Sequence, residues 1–156
     1  MLYDKLIFPK RTLTVILLSM LSMGFLSVLA ARKKTVQKIK VACVGNSITY
    51  STGIQDREHF SYPVQLQNML GDKYLVGNFG KPGATLLNHG HRPYMKQEEY
   101  KQAMAFKGDI AVIHLGINDT DPRNWPNYRD EFVKDYLSLM DSLRSANPKV
   151  RFILAC

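Results

Sequence analysis

Cysteine is nearly absent: Cys43 and Cys156 are the two in 156 residues, and Trp125 is the single tryptophan. Two thiols so far apart in the chain exclude a disulfide framework and make even one bridge an unfavourable expectation. Cys43 sits inside an apolar run and reads as a small buried residue; a catalytic thiol would need exposure and a partner His, which its context does not supply. No group of His, Cys and carboxylates has metal-ligand spacing, and no Gly-Lys-Ser/Thr phosphate loop occurs, so no metal or cofactor is expected. There is no internal repeat and no low-complexity segment. A basic stripe with interleaved aromatics is also missing, which excludes a nucleic-acid groove despite a formal net charge of +8. The excess charge lies at Lys5, Lys10, Arg11, Arg32, Lys33, Lys34, Lys38 and Lys40, and the chain after that is nearly balanced.

What is present begins with the three parts of an export signal: a cationic start through Arg11, an apolar stretch from Leu13 to Leu29, and small residues at Ala30-Ala31. The expectation is a secretory signal peptide over residues 1–31, a basic linker over 32–37 and one folded domain over 38–156, periplasmic or extracellular after cleavage. An uncleaved anchor is the competing reading, because the stretch approaches the length that spans about 30 Å of hydrocarbon. Ser19, Ser22, Gly24 and Ser27 dilute it and favour cleavage. The membrane is expected as a partner only through this signal.

Within the domain, apolar runs alternate with helical patterns. Strands are expected at Ile39–Val44, Tyr74–Phe79, Asp109–Leu115 and Val150–Ala155. Helices are expected at Tyr62–Leu70, where Pro63 suits the first turn, at Glu98–Phe106, and from about Pro126 to Ala146. Thr49–Phe60 reads as a polar loop. Regular alternation of this kind predicts an α/β fold, a three-layer α/β/α sandwich on a parallel, flavodoxin-like sheet of about four strands.

Polar residues gather where three of these strands end. Ser47 follows Gly45-Asn46, Gly83 lies in the turn Gly80-Lys81-Pro82-Gly83-Ala84, and Asn118 lies in Gly116-Ile117-Asn118-Asp119. In open α/β sheets the carboxyl edge is where ligands bind. Ser47 could be a nucleophile or could cap the next helix, and Gly83 could offer an amide or merely a positive φ.

In this order the three blocks resemble those of the SGNH, or GDSL-type, hydrolases, and their wording is most similar to carbohydrate acetylesterases of the sialate O-acetylesterase type. The resemblance runs from about Lys38 to the end of the chain. It implies a secreted serine esterase acting on O-acetylated carbohydrate or another small acyl ester, with Ser47 as nucleophile and the Gly83 amide, the Asn118 side chain and the Ser47 amide as oxyanion donors. Asn46 stands where the family usually has Asp. The family's acid and base lie on a late Asp-x-x-His segment, and the sequence given stops before one. The expectation is therefore a chain lacking a fifth strand and a final helix, and inactive as it stands. A non-catalytic, carbohydrate-binding remnant is the alternative.

The spacing of Asp56-Arg57-Glu58-His59 imitates the missing segment, but it follows the first block and reads as a loop or helix entry. His89 and His91 are expected to be solvated, His114 to be a hydrogen-bonded core residue, and Asp119 to satisfy turn amides, pointing away from the Asn118 side chain.

Overall fold

The β-branched run after Lys38 forms the central strand of a parallel sheet. A computed structural model describes residues 37–155. The signal peptide, its anchor alternative, the linker up to Val36 and Cys156 lie outside these residues. The four strands are β1 (Ile39–Gly45), β2 (Tyr74–Gly80), β3 (Ile110–His114) and β4 (Arg151–Leu154), in the order β2-β1-β3-β4 with every pairing parallel. Central position explains the sequence of β1. Val41 to Gly45 are all buried, as a strand covered on both faces requires.

Alternate residues go to alternate faces. Ala42 and Val44 of β1 join Ala111 and Ile113 of β3 in the main core, which is closed by helices α4 (Glu98–Phe106) and α6 (Phe132–Ala146) through Ala103, Leu139 and Leu143. Cys43 points to the other face, where its thiol meets Tyr62 of α3 (Tyr62–Leu70). The two faces thus give the three-layer α/β/α sandwich that the alternation implies. Ile113 is fully buried, and truncating such a residue to Ala costs about 2–5 kcal/mol. Burial pushes the Cys43 thiol up to about 11, which suits an inert core residue.

α3 and α4 begin and end where the periodicity places them. The segment expected as a loop after Ser47 instead contains two four-residue helices, α1 (Ser47–Tyr50) and α2 (Arg57–Phe60). The expected helix over Pro126–Ala146 is divided into α5 (Trp125–Tyr128), a 3₁₀ turn at Arg129–Glu131, and α6. Among the described residues no helix is long and apolar enough to cross a membrane.

Candidate active site

Register brings the three polar turns to one level. Gly45, the last residue of β1, pairs with Gly80 on one side and with His114 on the other. The chain therefore leaves all three strands at the same edge, into α1, the glycine turn and the Asn118 turn. Two further contacts fasten the first two. The Lys81 amide donates to the Gly45 carbonyl at 2.9 Å, and a Cβ on Gly80 would collide with the Tyr50 backbone nitrogen, so α1 rests directly on the end of β2.

Asn46, and not Ser47, caps α1. Its Oδ1 accepts from the Ile48 amide at 2.9 Å, and the residue is fully buried with Nδ2 unpartnered among the described residues. Ser47 is consequently the first residue of the helix and is half-exposed. Its amide is one of the helix-start donors that lack an intrahelical partner.

Gly83 has φ +75°, a conformation that L side chains rarely adopt, and its amide has no acceptor among the described residues. Asn118 lies on a 3₁₀ turn, Ile117–Thr120, and donates one Nδ2 proton to the Ala84 carbonyl at 2.8 Å. A primary amide carries two N–H donors, so the second remains for a ligand.

Behind these groups is a buried polar layer. Asp119 is fully buried and accepts from the Leu86 and Leu87 amides at 2.9 and 2.7 Å. It does satisfy loop amides, chiefly those that follow the glycine turn. Burial raises its carboxyl above the ordinary value, and the backbone donors act against that shift. Asn124 is also fully buried: Nδ2 donates to the Asn118 carbonyl at 2.9 Å and meets His91 Nδ1 at 3.0 Å, while Oδ1 accepts the His91 amide at 2.9 Å. No local pattern in the sequence marks Asn124, because its partner His91 is 33 residues away.

Of the three histidines His89, His91 and His114, the first two are exposed as expected and His114 departs from expectation. His89 remains exposed but pairs with Glu131 at 2.7 Å and lies against the Tyr128 ring. His91 is exposed yet tied to Asn124. His114 is half-buried with no side-chain hydrogen bond among the described residues, and lines a pocket of about 420 Å³. Ile48, Leu115, Ile117, Phe132, Tyr136 and Leu154 make that pocket apolar, and Ile48 and Ile117 are the chain neighbours of Ser47 and Asn118. His59 Nδ1 meets Asp56 Oδ1 at 2.7 Å, but both side chains face solvent, 73% and 52% exposed. Among the described residues no three His, Cys or acidic groups are placed to hold a metal ion.

A carboxyl-edge serine, a free glycine amide and an asparagine carboxamide are the blocks whose wording the sequence resembles, and comparison with known proteins decides the family. The GDSL-like Lipase/Acylhydrolase family profile matches residues 43–156. The chain belongs to this family. An acetylxylan esterase of Xylanibacter ruminicola is 50% identical over 106 residues, covering 68% of this chain and 22% of that protein, so the chain spans about a fifth of its length. The SGNH-hydrolase family esterase AlinE4 superimposes with a TM-score of 0.55 at 18% identity, covering 76% of this chain and 58% of AlinE4. A carbohydrate esterase family 2 enzyme with a carbohydrate-binding domain, from Corynascus thermopiles, gives a TM-score of 0.50 at 17% identity, covering 76% of this chain and 44% of that one. At such identities the two structures establish the shared GDSL/SGNH fold alone.

Proposed function

We propose that this GDSL-family chain is the N-terminal portion of the catalytic domain of an exported serine esterase that removes O-acetyl groups from carbohydrate, and that it supplies the nucleophile and oxyanion donors but not the acid and base. The observation that carries the reading is that the turns bearing Ser47, Gly83 and Asn118 leave the sheet at one edge, with the Asn118 carboxamide tied to Ala84 beside Gly83 and the Gly83 amide without an acceptor among the described residues. Ser47 Oγ attacks the acetyl carbonyl, the carbonyl oxygen becomes an oxyanion, and collapse of the tetrahedral intermediate expels the sugar alkoxide as its alcohol. The acetyl-enzyme is then hydrolysed. The Ser47 and Gly83 amides and Asn118 Nδ2 supply neutral donors to the oxyanion, each contributing a factor of about 100 to 1,000. Ser47 needs a base to attack, and the resemblance assigns that role to a later Asp-x-x-His segment. The exposed His59–Asp56 pair is not assigned to it.

The 50% identity to a protein named acetylxylan esterase supports an acetylated polysaccharide as substrate, while the wording of the blocks supports O-acetylated sialate. The longest natural product of this gene is assayed on p-nitrophenyl acetate, with and without Ser47→Ala. Loss of hydrolysis with Ser47 is expected, and equal rates would reject the reading. Parallel assays on acetylated xylan and O-acetyl sialate then choose between the sugars.

A further inference from the structure

Arg92 is an exposed arginine with no carboxylate partner among the described residues, in contrast to Arg123, Arg129 and Arg144, each of which has one. Its guanidinium is instead spent on a main-chain oxygen: Nη1 donates to the Pro82 carbonyl at 3.1 Å. That carbonyl belongs to the same peptide unit as the Gly83 amide. The side chain lies along this peptide, since a Cβ built on Gly83 would stand 3.2 Å from Nη1 and 3.5 Å from Cδ.

The backbone of Arg92 is fixed from both sides. Its carbonyl accepts from Thr85 at 2.9 Å, the Tyr94 amide donates to the Thr85 carbonyl at 2.8 Å, and the preceding His91 amide donates to Asn124. The segment His91–Tyr94 thus reaches toward the glycine turn through Arg92 and Thr85, and toward the Asn118 turn through Asn124.

We infer that Arg92 is a positioning residue for the oxyanion hole, acting through the Pro82–Gly83 peptide. A cationic donor on the carbonyl oxygen draws electron density along the amide, which strengthens the N–H at the other end as a donor, and it fixes the plane in which that N–H points. The ring of Pro82 fixes that residue's φ but not the ψ that orients this peptide, and the positive φ of Gly83 follows it. The hydrogen bond is the one side-chain hydrogen bond to this peptide among the described residues. The inference rests on the proposed esterase function for its kinetic consequence, and on the geometry alone for the polarised peptide.

The test compares the longest natural product of the gene with its Arg92→Gln and Arg92→Lys variants. Thermal melts confirm that each folds, as an exposed site allows. Turnover of p-nitrophenyl acetate is expected to fall about tenfold in Arg92→Gln with little change in KM, and Arg92→Lys is expected to recover part of it. In ¹H–¹⁵N spectra the Gly83 amide should shift in Arg92→Gln while the Gly108 amide stays in place. An unmoved Gly83 amide overturns the inference whether or not the protein hydrolyses esters. So does a change confined to KM, which would make Arg92 a substrate contact. Ser47→Ala, assayed alongside, separates the two claims: hydrolysis that survives it rejects the proposed function, whereas Ser47-dependent hydrolysis indifferent to Arg92 rejects the positioning role alone.

Discussion

Asn118 holds Ala84: the carboxamide donates to the Ala84 carbonyl at 2.8 Å across 34 residues of chain, joining the turn after β3 to the turn after β2. Adjacent in sequence, Asp119 grips the next stretch of the same loop through Leu86 and Leu87. Two consecutive side chains therefore fix the glycine turn relative to the Asn118 turn. The donors proposed for the oxyanion are consequently preorganised by bonds that, among the described residues, leave a second Asn118 proton and the Gly83 amide without an acceptor.

Removing the Asp119 carboxylate should be costly. Asp119→Ala leaves two amides without acceptors, Leu86 and Leu87 both being buried, and unsatisfied donors cost about 1–3 kcal/mol each. The expected result is a urea midpoint lowered by the equivalent of about 2–4 kcal/mol, with Asp119→Asn, which keeps one acceptor oxygen, falling between. A loss below about 0.5 kcal/mol would contradict the grip.

Asn124→Ala should separate stability from turnover. It orphans the His91 amide and releases the Asn118 carbonyl, for a loss of about 1–3 kcal/mol. Because Asn118 then loses its rear support, kcat should drop more than KM changes. Kinetics at a temperature well below the melt check this, and unchanged kcat would show that the Asn118 turn holds its shape without Asn124.

The His59–Asp56 pair gives a pH prediction. The hydrogen bond to Asp56, then its charge, raises His59 above the ordinary 6.5. A raised folded value means that the pair's contribution to stability is fully present below 6.5 and lost as pH rises through the folded value. Solvent exposure of both side chains makes that contribution small. An NMR titration should show His59 titrating above 6.5, and Asp56→Asn should bring it back toward that value. Equal titration in both proteins would remove the pair.

Much of this was legible in the sequence because it is periodic or punctuated. The helices Tyr62–Leu70 and Glu98–Phe106 are written as apolar spacing between clear stops, and the four strands among the described residues as apolar runs that lead into glycine or, for β4, follow the helix stop at Asn147-Pro148. α1 and α2 escaped because four residues are too few to show a period. The expected single helix at Pro126 divides because the turn Arg129–Glu131 carries no apolar position to bind it to the core. Asp119 was legible as a group that satisfies amides, but its partners lie across the fold. Asn124 and Arg92 left no trace, since what makes each informative is a residue on another segment or a main-chain oxygen.

In the proposed reaction Ser47 and two nitrogen donors from separate strand ends surround one carbonyl group. A crystal structure of the full gene product after reaction with a fluorophosphonate tests it most directly. The expected result is a phosphonyl group on Ser47 Oγ whose oxygen lies about 3 Å from both Gly83 N and Asn118 Nδ2. A label on another residue, or a phosphonyl oxygen turned away from both donors, would contradict it.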